Sequence, residues 1–164
     1  MIKIAVLPGD GIGPEIINEA LKVLKSVSFK INQEFDFEFY DVGAVAIEKY
    51  QNPLPESTLK GCKESDVILF GAVGHPKYDN NPKLKIRPEQ GLLKLRKELG
   101  LFANLRPVKS FKEILSLSPI KQEIIDGVDM LIIRELTGGL YFGDKKTNNN
   151  ISTDICTYSV SEIE

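Results

Sequence analysis

The chain has 164 residues, of which 42% are hydrophobic and 27% are charged, a balance typical of a globular protein that buries a core. This composition excludes disordered and fibrous proteins. The 21 basic and 23 acidic side chains give a formal charge of -2, so no overall field attracts nucleic acid or an anionic membrane, and neither is expected as a partner. The first apolar run is too short for a signal peptide or a membrane span, and Cys62 and Cys156 form no pairing motif. These features predict a cytoplasmic protein with two reduced, buried cysteines.

The amino-terminal segment predicts a strand, a glycine turn and a helix, in that order. Residues 2–7 are apolar apart from Lys3, and the run ends at the turn-forming residues 8–11. Pro14 and Glu15 suit a helix start, and apolar side chains then recur at helical spacing. The glycines suggest a dinucleotide-binding loop, but Pro14 stands where that loop requires its third glycine. The spacing therefore favours a tight turn with positive φ angles over a Rossmann phosphate loop.

Further along the chain, strands are predicted over residues 35–39, 67–70, 101–108 and 128–133, and a helix over 89–99. The segment 128–133 is almost wholly apolar, which predicts a strand buried on both faces. Residues 75–88 are polar and contain three prolines, which predicts a long irregular loop with His75 on its surface. Strands alternating with helices predict an α/β fold with a parallel or mixed sheet flanked by helices. Ser159 and the acidic residues after it predict a helix that starts as the chain stops, from which we expect a truncated product.

The helix over residues 89–99 carries a stripe of acid, two leucines and a base on one face: Glu89, Leu92, Leu93 and Arg96. A purely structural helix would bury the leucines and leave the two charges in solvent. Alternatively, the stripe lines a pocket in which the leucines hold an aliphatic group and Arg96 binds a carboxylate.

Two further arginines lie at the ends of predicted strands. Arg106 precedes a proline, and Arg134 follows the apolar run. One interpretation of Arg134 is a structural ion pair with Glu135 or with another acidic side chain. The other is that the three arginines converge on one di- or tricarboxylate, because guanidinium groups form paired hydrogen bonds with carboxylates. The glycine-rich segment that follows presents Tyr141 either to such a site or to the core.

Four segments closely resemble the 3-isopropylmalate dehydrogenase family: LPGDGIGPE at 7–15, GLLKLRK at 91–97, FANLRP at 102–107 and RELTGGLYFG at 134–143. Isocitrate, homoisocitrate and tartrate dehydrogenases share the glycine turn and the arginines, and the leucine pair after Glu89 favours isopropylmalate. The resemblance implies an isopropylmalate dehydrogenase-like fold, incomplete here, rather than a true Rossmann fold. It also implies that residues 1–100 form an incomplete cofactor-side domain and that 101–164 begin a truncated substrate and dimerisation domain.

The resemblance also implies roles for single residues. Arg96, Arg106 and Arg134 would bind the malate carboxylates, and Tyr141 would be a catalytic acid. Leu92 and Leu93 would contact the isopropyl group. The NAD site would have Glu89 and Ile12 near the nicotinamide. Its loop would consist of Pro76, Lys77, Tyr78, Asp79, Asn80, Asn81, Pro82, Lys83, Leu84, Lys85, Ile86, Arg87, Pro88 and Glu89.

The resemblance further implies a catalytic lysine, aspartates that bind Mg²⁺ or Mn²⁺ and an adenosine-binding segment, all of which are expected in a missing remainder. No metal ligand is therefore assigned in this chain, which is expected to be inactive alone. The complete enzyme would be a homodimer that oxidises (2R,3S)-3-isopropylmalate with NAD and releases 4-methyl-2-oxopentanoate in leucine biosynthesis. One alternative is a related isocitrate, homoisocitrate or tartrate dehydrogenase. Another is a non-catalytic fragment or binding subunit.

Overall fold

The computed structural model describes residues 1–79, 84–136 and 138–164, and the chain divides into two compact units, Met1–Leu99 and Gly100–Glu164. The first unit contains β1 (Ile2–Gly9), α1 (Gly13–Ile31), β2 (Phe35–Phe39), α2 (Ala44–Tyr50), α3 (Glu56–Lys63), β3 (Val67–Ala72), α4 (Pro76–Asp79) and α5 (Pro88–Glu98). The second contains β4 (Ala103–Lys109), α6 (Gln122–Ile125), β5 (Asp129–Glu135), β6 (Lys145–Asn148), β7 (Ile151–Asp154) and α7 (Val160–Ile163), with 3-10 helices at Lys112–Leu117 and Gly139–Tyr141.

The first unit is a parallel three-stranded sheet with helices on both faces. Its strand order is β2-β1-β3, so β1 lies in the centre. Alternate side chains of β1 point to opposite faces, and one set packs against α1 while the other packs against α3 and α5. The prediction of an α/β fold with a sheet flanked by helices is confirmed. The buried members are Ile4, Val6, Ile17 and Leu21 on the α1 side, and Ala5, Leu7, Val42, Leu54, Cys62 and Leu95 on the other.

The turn after β1 has the tight geometry that its spacing predicts. Gly9 and Gly11 adopt φ angles of 70° and 57°, which residues with a side chain rarely adopt. A Cβ atom on Gly9 would also overlap the carbonyl oxygen of Ala72 on β3. The glycines therefore serve the turn and its close contact with β3.

The second unit contains two antiparallel strand pairs, β4 with β5 and β6 with β7. The prediction that the apolar strand β5 is buried on both faces is wrong, because Ile132 and Ile133 are 49% and 67% exposed. In the described residues β5 pairs only with β4, and a two-stranded sheet has no layers of its own to cover its faces.

Three other local predictions can be compared with the structure. In the described part of the loop predicted over residues 75–88, residues 76–79 form the short helix α4 and Pro88 begins α5, while His75 is exposed as expected. Cys62 is buried, whereas Cys156 is exposed, so the expectation that both thiols are buried is wrong for Cys156, which follows β7 in a segment exposed throughout. None of the helices in the described ranges is long and apolar enough to cross a membrane.

Candidate functional site

The carboxyl ends of β1 and β3 form the point at which the sheet reverses its winding. From the central strand β1 the chain passes to β2 on one side, and β3 pairs with β1 on the other side. Ligand-binding crevices of open α/β sheets lie at such positions, outside the carboxyl ends of the strands. The loops after the two strands are joined here, because the Asp10 amide donates a 2.7 Å hydrogen bond to the carbonyl oxygen of Ala72.

The carboxylate of Asp10 organises this end of the sheet. The residue is 3% exposed. Its Oδ2 accepts hydrogen bonds from the amides of Ala44 at 2.8 Å and Gly74 at 3.0 Å, and its Oδ1 accepts one from Val45 at 3.0 Å. Sequence reasoning missed this role. The available signal was an acidic side chain inside a glycine turn between a buried strand and a helix, where a carboxylate needs donors.

Ile12 and Glu89, the two predicted neighbours of the nicotinamide, both belong to this region of the first unit. Ile12 follows the glycine turn and is 56% exposed at the start of α1. Glu89 is exposed in the first turn of α5, and its Oε1 would lie 3.3 Å from a Cβ atom on Gly74, in the loop after β3. An apolar side chain and a carboxylate are therefore both available at this end of the sheet.

Helix α5 does not bury its leucine pair. Its buried residues are Pro88, Gly91 and Leu95. Leu92, Leu93 and Arg96 are half-buried on the neighbouring face. If α5 were a purely structural helix, Leu92 and Leu93 would belong to the hydrophobic core. Leu95 occupies the core position instead, and Leu92 and Leu93 keep accessible apolar surface.

Gly91 allows α5 to lie against the segment that precedes α3. A Cβ atom at this position would lie 2.5 Å from the carbonyl oxygen of Pro53. That same oxygen accepts a 2.9 Å hydrogen bond from the amide of Gly43. The position of α5, and with it the stripe beginning at Glu89, is thus fixed by backbone contact.

The predicted cofactor loop is anchored on α2. Tyr78 is 5% exposed and packs with Ala44, Ile47 and Leu84. The Nζ atom of Lys77 lies 2.9 Å from the Oε1 atom of Glu48 on α2, an ion pair that lowers the pKa of the Glu48 carboxyl. A groove of about 480 Å³ runs beside this contact, with Leu84, Lys85 and Ile86 in its lining.

The remaining predicted loop residues occupy several environments. Pro76 and Asp79 are exposed in α4, Arg87 is exposed directly before α5, and Pro88 is buried at the start of α5. The predictions for Asn80, Asn81, Pro82 and Lys83 lie outside the described residues.

In the second unit, Arg106 and Arg134 lie on the same face of the β4 and β5 pair. Arg134 pairs with Asn104, and Arg106 is two residues further along β4, so the arginines are diagonal neighbours. The Nε of Arg106 donates a 3.3 Å hydrogen bond to Oδ1 of Asn104. Glu135 follows Arg134 directly and so points to the opposite face, where its Oε1 accepts a 2.9 Å hydrogen bond from the Gly138 amide. This arrangement disfavours the ion pair between Arg134 and Glu135.

Tyr141 lies beside the same arginine. The centre of its ring is 5.2 Å from the guanidinium carbon of Arg134, within the range of a cation–π contact, and the side chain is 42% exposed. The turn that carries it depends on Gly139, whose φ angle is 65° and against which the ring of Tyr158 packs. The second unit therefore brings two cations and one phenol together on an accessible surface.

The described residues contain no group of three or more His, Cys, Asp or Glu side chains that could hold a metal ion.

Comparison with known proteins shows the family. The family model described as isocitrate/isopropylmalate dehydrogenase matches residues 3–164. The chain belongs to this family, which confirms the resemblance found in the sequence motifs. Among similar proteins, the 3-isopropylmalate dehydrogenase of Bacillus subtilis is 59% identical over 86% of the chain, and that of Bacteroides fragilis is 51% identical over 99%. The chain spans 38% and 46% of the lengths of these two relatives.

Solved structures agree with this assignment. A β-decarboxylating dehydrogenase from Thermococcus kodakarensis, in its apo form, is 34% identical with a TM-score of 0.67, and the match covers 99% of this chain and 42% of that one. An isocitrate dehydrogenase from Methylococcus capsulatus is 26% identical with a TM-score of 0.78, covering 99% of this chain and 44% of that one. The fold of this chain thus corresponds to less than half of the fold of each of these two dehydrogenases.

Proposed function

We propose that this chain is the amino-terminal part of an NAD-dependent 3-isopropylmalate dehydrogenase of leucine biosynthesis. Family membership supports a dehydrogenase, and the two relatives at 51% and 59% identity are named 3-isopropylmalate dehydrogenase. The observation that carries the substrate assignment is the α5 stripe. Leu92 and Leu93 keep accessible apolar surface beside Arg96, an arrangement suited to a malate with a branched aliphatic substituent.

The arginines would hold the two carboxylates of the substrate. Arg106 and Arg134 share a face of the second unit, where each guanidinium can form paired, charge-assisted hydrogen bonds with a carboxylate. Arg96 would contribute the same grip from α5, next to the leucines. These contacts would orient the substrate before any bond breaks, which is the main advantage of a positioned reactant.

Tyr141 would act as the proton donor in the second half of the reaction. In the first half, the C2 hydroxyl would lose its proton to a base beyond this chain and the C2 hydrogen would pass as hydride to NAD, giving a β-keto acid. The carboxylate on C3 then leaves as CO₂, and its bonding electrons remain as an enolate. A proton delivered to C3 completes 4-methyl-2-oxopentanoate, and a phenol hydroxyl next to Arg134 can donate it.

NAD, when bound, would supply the hydride acceptor. The residues present suit it: the turn after β1 offers open backbone at Gly11 and the apolar side chain of Ile12, and the first turn of α5 offers the carboxylate of Glu89. Lys85 in the lining of the neighbouring groove provides positive charge for an anionic ligand. Mg²⁺ or Mn²⁺ would be held by residues beyond this chain. We also propose a homodimer, on the basis of the family resemblance, and a cytoplasmic location, on the basis of two cysteines that form no pairing motif.

The proposal is tested with the complete protein and NAD against a panel of acids: 3-isopropylmalate, isocitrate, homoisocitrate and tartrate. NADH formation gives kcat/KM for each acid. We expect the highest kcat/KM for 3-isopropylmalate, by a factor of about 10 or more, because a few buried methylenes discriminate by roughly 1–3 kcal/mol. A higher value for another acid would reassign the substrate. Formation of no NADH with any of them would support a non-catalytic chain.

A further inference from the structure

We propose that Asp10 is a positioning residue for the cofactor loop, acting through the backbone of Gly74 and through helix α2. This inference rests on the proposed function, since it assigns the loop to NAD. Asp10 would not touch the cofactor. It would set the place of the residues that do.

The carboxylate of Asp10 joins two segments that support the cofactor loop, namely the start of α2 and Gly74. Two of its three hydrogen bonds come from Ala44 and Val45, the first two residues of α2, and the third comes from Gly74, directly before the loop. A single buried anion therefore fixes the start of the loop relative to the start of the helix beneath it. Gly43 allows this approach, because a Cβ atom there would collide with the carboxylate of Asp10.

Helix α2 contacts the described residues Lys77, Tyr78 and Leu84 of the loop. Tyr78 of the loop is buried against Ala44 and Ile47, and Lys77 is paired with Glu48 one residue further along the helix. A displacement of the amino end of α2 would therefore be passed to Lys77 and Tyr78. A displacement of Gly74 would be passed to the loop directly.

The hydrogen bonds of Asp10 go directly to α2 and to Gly74. Helix α5 is located by Leu95 and by the contact of Gly91 with Pro53, and it reaches the Asp10 network only indirectly, through the hydrogen bond from the Gly43 amide to Pro53. Loss of the carboxylate should thus disturb the NAD site more than the malate site. This asymmetry separates a positioning role from a purely structural one, which would lower stability without selecting one ligand.

The test compares Asp10→Asn with Thr58→Val in the complete protein. Asparagine keeps the shape of the side chain but turns an amide group toward backbone donors. Thr58 is a matched control, because it is also buried, at 1% exposure, and donates one hydrogen bond, at 2.8 Å, to the carbonyl oxygen of Asp41. We expect Asp10→Asn to raise KM for NAD about tenfold, as expected for unpaired buried groups, with KM for 3-isopropylmalate changed less than about twofold. Thr58→Val should change neither KM while lowering the melting temperature.

The proposal would be overturned if Asp10→Asn and Thr58→Val lowered the melting temperature equally and left both KM values unchanged. If Asp10→Asn does not fold, Gly74→Ala decides. This substitution leaves the Asp10 carboxylate intact. It strains the backbone of residue 74, whose amide donates a hydrogen bond to that carboxylate and whose φ angle is 135°. Because the added methyl group would also lie 3.3 Å from the Oε1 of Glu89, the change is made both in the wild type and in Glu89→Ala. The same rise in KM for NAD in both backgrounds supports the proposal, and a rise that requires Glu89, or an unchanged KM for NAD, overturns it.

Direct titration with NAD separates this proposal from the proposed function. If the wild-type protein binds NAD but oxidises none of the acids, the function fails, and Asp10 is then judged by affinity. A Kd for NAD raised about tenfold in Asp10→Asn supports the positioning role. An unchanged Kd, or a wild-type protein that binds no NAD, overturns it.

Discussion

Replacing Gly91 by alanine should destabilise the protein, although alanine is the better helix former. The added methyl would lie 2.5 Å from the oxygen, 2.9 Å from the carbonyl carbon and 3.2 Å from the Cβ of Pro53. Two of these atoms belong to the backbone and cannot rotate away, so α5 or the segment before α3 must move. Such overpacking costs about 1–3 kcal/mol, against which the helix propensity of alanine over glycine returns about 1 kcal/mol. We expect a net loss of about 1 kcal/mol in the free energy of unfolding.

Equilibrium unfolding of the complete protein in urea measures this change. The control is the pair Lys94→Ala and Lys94→Gly, at an exposed position of the same helix. Alanine should be the more stable of that pair by about 1 kcal/mol, because propensity alone acts there. If Gly91→Ala is as stable as the wild type or more so, α5 does not approach Pro53 as closely as inferred, and the fixed position of the stripe loses its support.

Three further changes test single side chains of the complete protein. Arg106→Lys should raise KM for 3-isopropylmalate roughly tenfold while KM for NAD stays near normal, since lysine keeps the charge but loses the paired hydrogen bonds; an unchanged substrate KM removes Arg106 from the site. Tyr141→Phe should leave both KM values near normal and lower kcat by about 10²–10⁴-fold, and a kcat that holds while the melting temperature falls would make the tyrosine a packing residue. Burial raises the pKa of the Cys62 thiol from 9.0 to about 11, so the unfolded chain releases this proton at lower pH than the folded one. Stability should therefore decline as pH rises from about 9 through about 11, less steeply in Cys62→Ala. At pH 8 a maleimide should label the exposed Cys156 in the folded protein but Cys62 only after unfolding; rapid labelling of Cys62 in the folded protein, located by peptide mapping, would contradict its burial.

The elements that the sequence predicts well are those specified by neighbouring residues. The strand, turn and helix over residues 2–31 follow from an apolar run, two glycines and a proline, all of which act locally. The spacing of the side chains in the α5 segment likewise predicts a helix. Which side of α5 enters the core does not follow from that spacing, because Gly91 meets Pro53 and Leu95 meets a cluster built from distant segments.

The predictions that failed depend on contacts between distant residues. The role of Asp10, which the sequence did not reveal, depends on such contacts too. The donors to the Asp10 carboxylate lie 34 to 64 residues further along the chain, so the glycine motif indicates that the carboxylate needs donors but not which residues supply them. The apolar composition of β5 indicates a strand but not whether other layers cover it, and Ile133 is 67% exposed. Among the candidate site residues, the pairing of β4 with β5 brings Arg106 and Arg134 to one face, a register that the sequence alone does not give.

The most direct test of substrate recognition by α5 is the ratio of kcat/KM for 3-isopropylmalate to kcat/KM for malate, measured in Leu92→Ala and Leu95→Ala. The two leucines share a helix, but Leu92 is half-buried and Leu95 is 2% exposed in the core. Leu95→Ala should cost about 2–5 kcal/mol of stability and leave the ratio unchanged, as expected for a core truncation. Leu92→Ala should lower the ratio roughly 5- to 150-fold, because its methyl groups would contact only the isopropyl substituent. An equal loss of activity on both acids in Leu92→Ala, or the same change of ratio in both variants, would contradict a substrate pocket on α5.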